Sequence, residues 1–182
     1  MIRQHYGSWA ILFALAIAPA FSQDPPGVVN FHQVDDHIYR GAQPSLKGIV
    51  ALAQRGIKTV IDLREPAERS ATEQKAVEAA GMTYVPVPLN GYHAPTAEQV
   101  TKILSLLNDT SAGPIFVHCK RGADRTGTAI ACYRMSHDHW DNQKALKEAI
   151  SYGMSWTERS MQNYILHYQT ADRTTISPRP SQ

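Results

Sequence analysis

The chain has 182 residues, of which 43% are hydrophobic and 19% are charged. This length and composition predict one globular domain with a substantial apolar core, and they exclude a chain that is disordered throughout. The formal net charge is only +2, so the overall charge gives no indication of a nucleic-acid partner.

The N-terminal residues have the layout of a secretory signal peptide. Arg3 precedes a short apolar segment over 9–18, and small residues follow at Ala20 and Ser22. We therefore expect a signal peptide over 1–22, cleaved near Ser22, and a secreted or periplasmic protein. An uncleaved N-terminal anchor is the alternative. The apolar segment is shorter than the ~20 residues of a membrane-spanning helix, so no stable span is expected after cleavage.

The rest of the chain divides into three parts. A Pro-rich polar stretch predicts a linker over 23–33, one domain follows over 34–169, and the polar residues 170–182 predict a disordered tail. Within the domain, strand and helix patterns alternate. The predicted strands are 34–40 (a strand or hairpin), 58–63, 83–87 and 114–118. The predicted helices are 45–55, 70–80, 96–107, 125–136, 142–152 and 157–168.

Strands separated by helices predict an α/β fold with a central, mainly parallel sheet of about four to five strands flanked by helices. In such folds, ligands bind beyond the carboxyl ends of the strands. The segment HCKRGADRTG, residues 118–127, lies at such an end because it follows an apolar strand and precedes a helix. This segment is therefore the candidate site.

The residue types in this segment suit an anion. Backbone N–H groups converge where a strand ends and a helix begins, and the helix dipole favours negative charge there. Gly122 permits a tight turn, and the planar fork of Arg125 fits two oxygens of a phosphate. Such surroundings favour the thiolate form of Cys119, which is a nucleophile for phosphoryl transfer. The other predicted substrate-binding residues are Lys120, Arg121 and Ala123 of this loop, together with His93.

Neighbouring residues complete the predicted site. We expect the hydroxyl of Thr126 to stabilise the thiolate when it leaves, and His118 to orient the loop by hydrogen bonding to backbone. The second cysteine, Cys132, is expected to be a buried apolar residue, because a helix would carry it away from Cys119 and prevent a disulfide. No metal site is predicted, since the histidines lack ligand spacing with the cysteines, and this chemistry requires no cofactor.

HCKRGADRTG matches the signature H-C-x5-R-[ST] of the cysteine-based protein tyrosine and dual-specificity phosphatases. The size and the order of elements resemble the compact dual-specificity branch over residues 34–168, and IYRGAQPS and TVIDLR are similar to the first and second strands of its small bacterial and plant-type members. The resemblance implies a dual-specificity-phosphatase-like fold, Cys119 as nucleophile and Arg125 as phosphate clamp. It also implies that Arg40 and Gln43 line the mouth of the site.

The general acid is a departure from this resemblance. In the family it is usually an aspartate on the loop after the preceding strand, but the corresponding stretch here, 86–100, contains no aspartate, and its Glu98 lies in a predicted helix start. The pattern C-x-x-G-x-D-R-T is similar to that of myotubularin-like lipid phosphatases and of a group of secreted bacterial phosphatases, in which the loop aspartate is the proposed acid. The candidates are Asp124, His93, and Asp62 or Glu65.

The substrate remains open between phosphorylated protein and inositol or lipid phosphates. Lys120 and Arg121 are expected either to contact further phosphates or to be solvated loop charges, and Tyr92 is a weak candidate for stacking on an aryl group. Phosphotyrosine, phosphoserine and phosphothreonine are all compatible with a shallow site. Two other functions are considered: a non-catalytic phosphate-binding pseudophosphatase and a rhodanese-like sulfurtransferase.

Overall fold

The computed structural model describes residues 24–68 and 71–170. Among them, five strands form one sheet in the order β1-β2-β5-β3-β4, in which β1 is antiparallel to β2 and the other pairings are parallel. The strands are β1 His32–Gln33, β2 Ile38–Ala42, β3 Thr59–Asp62, β4 Thr83–Pro86 and β5 Ile115–Cys119. The predicted, mainly parallel sheet is confirmed, and the hairpin at its start runs from β1 into β2.

Helices flank the sheet, as the sequence predicts. They are α1 Leu46–Gln54, α2 Ala71–Ala79, α3 Ala97–Leu107, α4 Asp124–Ser136, α5 Asn142–Ser151 and α6 Arg159–His167. The capping box between Thr96 and Gln99 is formed at the start of α3. The similar pattern predicted from Ser70 lies outside the described residues. Two short 3₁₀ turns, Pro66–Glu68 and Thr110–Ala112, were not predicted.

The core lies on both faces of the sheet. On one face, α1 and α2 pack Ile49, Leu52 and Val77 against Val60 and Phe116. On the other face lies α4, which also contacts α3, α5 and α6, so that almost every residue of this helix is buried. Strand β5 is in the middle of the sheet with every residue buried, which fixes the position of the loop that follows it.

The structure differs from the predicted linker over 23–33. In its described part, Val28 and Phe31 are buried in the core, and β1 already begins at His32. This N-terminal arm, which we define as residues 24–31, is therefore packed on the domain. Thr170, the first residue of the predicted tail, is also buried. The predictions for 1–22 and for 171–182 lie outside the described residues.

Both cysteines are free and buried. Cys132 lies within α4 and contributes to the core between α4, α5 and α6, which is the position that the sequence predicts. In the described part of the chain, no helix combines the length and the apolar character required to cross a bilayer.

Candidate active site

The candidate site forms where β5 ends and α4 begins. Cys119 is the last residue of β5 and is 3% exposed, and five residues later Asp124 starts α4. We refer to residues 119–125 as the phosphate loop. Gly122 has a φ of +68°, and a Cβ at this position would lie 2.3 Å from the carbonyl carbon of Gly41 in β2. Only glycine fits this close approach, because it has no Cβ and adopts positive φ readily.

Consecutive carbonyl groups of the phosphate loop are held from the side of β2. The hydrogen bonds are Gln43 N–H to Lys120 O at 3.4 Å, Asn30 Nδ2 to Arg121 O at 3.3 Å, Asn30 Nδ2 to Gly122 O at 3.2 Å, and Arg40 Nη2 to Gly122 O at 2.8 Å. In a planar trans peptide, the C=O and the N–H point in opposite directions. The N–H groups of Arg121, Gly122 and Ala123 are therefore directed away from β2, as in an anion-binding nest.

The N-terminus of α4 adds further donors. The N-termini of α1, α3 and α5 are capped by the side chains of Ser45, Thr96 and Asp141. At the start of α4 the N-cap residue is Ala123, which makes no side-chain cap hydrogen bond. The first N–H groups of a helix lack intrahelical partners, so at α4 they remain available for an anion, which the helix dipole also favours.

Arg125 connects the loop to a carboxylate that the sequence did not indicate. Its Nη1 lies 2.5 Å from Oε2 of Glu68, and its Nη2 lies 3.1 Å from Oε1. Burial alone lowers the pKa of Arg125, but the hydrogen bonds to Glu68 and the charge and hydrogen bond of Cys119 raise it overall. Arg125 is thus a cation that is bound to Glu68 and lies close enough to Cys119 for the two side chains to interact electrostatically.

His118 lies beneath the loop in a buried ionic network. Its Nδ1 is 3.3 Å from the carbonyl oxygen of Cys119, and its Nε2 is 3.1 Å from Oε1 of Glu73. Arg64 binds Asp62 through Nη2 at 2.7 Å and Glu73 at 2.6 Å. Burial raises the pKa of Asp62, but the hydrogen bonds from Arg64 and neighbouring groups outweigh it, and the pKa is lowered. The contact with backbone agrees with the orienting role predicted for His118.

Three members of this network, Asp62, Glu73 and His118, are close enough together to hold a metal ion. However, both oxygens of Asp62 accept hydrogen bonds from Arg64, and Oε2 of Glu73 accepts from Arg64 and Gln43. Since Arg64 already occupies three of the four carboxylate oxygens, the arrangement is a buried ion network and not an open ligand set.

Comparison with known proteins agrees with this geometry. The sequence profile of a family described as "DSP-PTPase phosphatase fused to NAD+ Kinase" matches residues 26–166. The chain belongs to this family. The dual-specificity protein phosphatase TpbA of Pseudomonas aeruginosa is 27% identical over 155 residues, which cover 85% of this chain and 68% of TpbA.

Two solved structures support the DSP-PTPase assignment. A cysteine-to-serine variant of P. aeruginosa TpbA in complex with phosphotyrosine is 26% identical, with a TM-score of 0.66, and the match covers 80% of this chain and 87% of that chain. The catalytic core of the PP-IP phosphatase Siw14 from S. cerevisiae, in complex with citrate, is also 26% identical, with a TM-score of 0.70 and coverage of 81% and 90%. The chain is therefore a cysteine-dependent phosphatase with a dual-specificity-phosphatase-like fold.

The structure of this DSP-PTPase separates the candidate acids. Asp124 lies in the phosphate loop and is 8% exposed; its Oδ1 accepts from the N–H of Ser155 at 2.8 Å and its Oδ2 from Arg121 at 2.6 Å. His93 is exposed on the loop after β4, where its backbone N–H bonds to Asn90. Asp62 is fully buried in the ionic network. Such an ion-paired carboxylate, held away from the loop, cannot donate a proton to a leaving group.

Glu65, the fourth candidate, accepts a hydrogen bond from Asn90 at 3.2 Å. Glu68, in the neighbouring turn, is unsuited to donate a proton because the bond from Arg125 lowers its pKa, against the opposing effect of burial.

The remaining predicted residues occupy different surroundings. Thr126 is fully buried, and its hydroxyl has no hydrogen-bond partner among the described residues, so the predicted bond to the sulfur is not formed here. Ala123 is buried, whereas Lys120 is exposed and the Arg121 side chain is 61% exposed. Tyr92 is 78% exposed and contacts no ring in the described structure.

Sequence reasoning missed three contributors to the site: Asn30, Glu68 and Ser155. Asn30 and Glu68 contact the loop across sequence separations of 92 and 57 residues, and no local pattern marks them. Ser155 acts through its backbone N–H, so its residue type carries no signal. The family resemblance places Arg40 at the mouth of the site, but it lies behind the loop and is 1% exposed.

Proposed function

We propose that this phosphatase hydrolyses phosphate monoesters through a phosphocysteine intermediate on Cys119. The observation that supports this most directly is the position of Cys119 directly before a nest of inward-directed N–H groups and an uncapped helix N-terminus, with the Arg125 cation nearby. These donors match the oxygens of a tetrahedral phosphate, and they stabilise the charge that develops on it during transfer.

In the first step, the Cys119 thiolate attacks phosphorus. A sulfur–phosphorus bond forms, the bond from phosphorus to the ester oxygen breaks, and the general acid gives a proton to that oxygen. In the second step, water attacks the phosphocysteine. The sulfur–phosphorus bond breaks, one proton of the water returns to the acid, and inorganic phosphate leaves with the thiolate restored.

We assign the general acid to Asp124. Its Oδ1 is fixed by the backbone of Ser155, which positions the carboxyl group, whereas its Oδ2 is held only by the exposed side chain of Arg121. Because the Arg121 side chain is 61% exposed, water can solvate it when it moves away, so an entering substrate can free Oδ2 for the leaving oxygen. His93 has no comparable anchor close to Cys119.

The test is turnover of an aryl phosphate as a function of pH. Wild-type activity should disappear in Cys119→Ser. With a substrate whose leaving group is a poor one, Asp124→Asn should lower kcat by about 10²–10⁴-fold and abolish the limb of the pH profile that reports the acid. His93→Gln is the control and should retain both the wild-type kcat and the limb of the pH profile that reports the acid. The opposite pattern would assign the acid to His93, and turnover that survives Cys119→Ser would overturn the mechanism.

For the substrate, we propose phosphoryl groups on protein side chains, inositol or lipid headgroups. A cysteine-to-serine variant of TpbA has been crystallised with phosphotyrosine, and Siw14 is a PP-IP phosphatase. Exposed Lys120 beside the nucleophile provides a second cation. Lys120→Ala should therefore raise KM for a polyphosphorylated inositol more than KM for a phosphotyrosine peptide, and equal effects on both would remove Lys120 from substrate recognition.

We also propose that the phosphatase acts outside the cytoplasm. The basis is the sequence of residues 1–22, with Arg3, an apolar segment and small residues before Gln23. Expression of the full chain in a bacterium, followed by fractionation and N-terminal sequencing, tests this. Mature protein in the periplasm or medium beginning near Gln23 is expected, and full-length protein confined to the cytoplasm would contradict it.

A further inference from the structure

The carbonyl group of Gly122 is bonded from behind by two side chains that are remote in sequence. Arg40 Nη2 lies 2.8 Å from this oxygen and Asn30 Nδ2 lies 3.2 Å from it. Because the C=O of Gly122 and the N–H of Ala123 belong to one planar peptide, fixing the oxygen toward β2 aims the N–H toward the anion site. A reversal of this peptide would place a carbonyl oxygen where the phosphate is expected.

Asn30 holds more than one part of the site. Its Nδ2 is also 3.3 Å from Arg121 O and 3.0 Å from Tyr152 O, so the same amide joins the phosphate loop to the residues after α5. The three neighbours of Nδ2 are carbonyl oxygens, which fixes the orientation of the amide, and Oδ1 faces Nε2 of His32 at 3.0 Å. The backbone of Asn30 has a φ of +54°, a conformation that asparagine tolerates better than most residues.

Arg40 is an unusual group to bury for structural reasons alone. Its side chain is 1% exposed, its guanidinium stacks 4.6 Å above the ring of Tyr152, and its Nε and Nη1 have no hydrogen-bond partner among the described residues. Burial lowers the pKa of Arg40 to about 10, although the charges of Glu148, Tyr152 and Cys119 oppose this shift. A buried cation without a bonded carboxylate costs free energy, so its retention next to the loop calls for a role in the site.

We propose that Asn30 and Arg40 are positioning residues that hold the Gly122 carbonyl away from the anion site, so that the N-terminal arm is part of the catalytic unit. This inference rests on the proposed function, because it concerns the loop that binds the transferred phosphate. It predicts that loss of either side chain weakens binding of a phosphate anion even where the fold and Cys119 are intact.

The substitutions that test this are Arg40→Met, Arg40→Lys, Asn30→Ala and Asn30→Asp, in the full chain. Asn30→Asp keeps the shape of the side chain but places a carboxylate oxygen against three carbonyl oxygens, which repel it. Arg55→Met is the matched control for arginine, since Arg55 also stacks on aromatic rings, those of Phe31 and Tyr39, and lies at the C-terminal end of α1. Asn108→Asp is the control for asparagine, because its Nδ2 bonds to Leu104 O on an exposed helix end.

Two measurements are made on each folded variant: the inhibition constant of inorganic phosphate in the aryl phosphatase assay, and the protection by phosphate of the Cys119 thiol against iodoacetamide. Neither depends on the fraction of active protein. In the Arg40 and Asn30 variants we expect both phosphate constants to weaken roughly tenfold or more. Arg40→Lys should recover only part of the loss, because lysine lacks the planar fork, and the controls should stay within about twofold of wild type.

The outcomes are distinct. Phosphate constants that remain at the wild-type value in folded Asn30→Ala and Arg40→Lys overturn the proposal. If Arg40→Met does not fold, the half-buried Asn30 decides the question through Asn30→Ala and Asn30→Asp. Wild-type protein that shows no turnover, yet is protected by phosphate in a manner that Asn30→Asp abolishes, contradicts the proposed function while supporting the positioning role.

Discussion

Arg125 and Glu68 form a two-point ion pair, in which both terminal nitrogens of the guanidinium meet both oxygens of the carboxylate at 2.5 and 3.1 Å. Glu68 belongs to a short turn on the loop after β3, whereas Arg125 is in the first turn of α4. The pair therefore joins two parts of the chain at the mouth of the site, and it fixes the fork of the cation that is proposed to clamp the substrate phosphate.

The first prediction concerns the substitution Glu68→Gln. Removal of this charge should lower kcat/KM about tenfold, because a charge-assisted hydrogen bond that orients Arg125 is lost. Kinetics with an aryl phosphate at neutral pH measure this. The exposed Glu98 on α3 provides the control, Glu98→Gln, and an unchanged kcat/KM in Glu68→Gln would show that Arg125 is oriented without its partner.

The same pair predicts a pH dependence of stability. The pKa of Glu68 is lowered in the folded protein by the bond from Arg125. A lowered folded-state pKa contributes stability at pH values above the unfolded-state pKa of about 4.5, and that contribution is lost as the pH falls through the folded-state pKa. Thermal unfolding of wild type and Glu68→Gln should therefore differ near neutral pH and converge in acid. Curves that stay parallel down to about pH 3 would contradict this linkage.

Arg64 is expected to be the most sensitive residue of the network beneath the loop. Arg64→Met leaves Asp62 and Glu73 as buried charges without their cation, which should lower the free energy of unfolding by about 3–5 kcal/mol. Urea denaturation measures the change. The control is Arg134→Met, since Arg134 pairs with Asp138 and Glu148, whose side chains are 24% and 14% exposed. Arg134→Met should lower the free energy of unfolding by less than Arg64→Met does, because water can reach the carboxylates of Asp138 and Glu148.

Gly122→Ala should abolish turnover and destabilise the fold. The substitution combines a φ of +68° with a Cβ placed 2.3 Å from the backbone of Gly41. Gly56→Ala separates the two effects, because Gly56 has a φ of +92° but open space around its Cβ position. Gly56→Ala should lower the free energy of unfolding by only about 1–2 kcal/mol, because alanine is strained in the left-handed conformation. Equal losses of stability in both variants would refute the close packing of the loop against β2.

Only one cysteine should react with iodoacetamide in the native protein. Burial raises the pKa of Cys132 to about 12, so this thiol stays protonated and unreactive at about pH 7–9. Mass spectrometry should find a single modification, on Cys119, which is absent in Cys119→Ser and suppressed by phosphate. Alkylation of Cys132 in folded protein would show that α4 opens more readily than its packing indicates.

The strand, loop and helix that carry Cys119 and Arg125 were predictable from sequence, but the residues that hold this loop in place were not. An apolar run, a glycine and a helix start are local features, so the strand, loop and helix from 114 to 136 follow from adjacent residues. The chemistry of Cys119 and Arg125 follows from their residue types.

Asn30 shows why the residues that hold the loop could not be predicted from sequence. It lies in a Pro-rich polar stretch with the composition of a linker, and its role arises only when this stretch reaches a loop 92 residues away. Glu68 is similar. Several carboxylates lie near the end of β3, and the contact with Arg125 is what distinguishes Glu68 from the others. Asp62 shows the opposite error: its position at the end of a strand suggested that it borders the pocket, but Arg64 binds both of its oxygens and also binds Glu73 from α2.

The origin of the residues around Cys119 has a consequence for synthesis of the protein. The loop lies between an asparagine from the start of the described chain and the backbone of Ser155, far beyond it, and β5 pairs in parallel with the much earlier β2 and β3. Contacts of such long sequence separation form late in folding. A nascent chain that has emerged only as far as α4 therefore carries the nucleophilic cysteine without its surroundings, and the reactive thiol is created only when nearly the whole domain has left the ribosome.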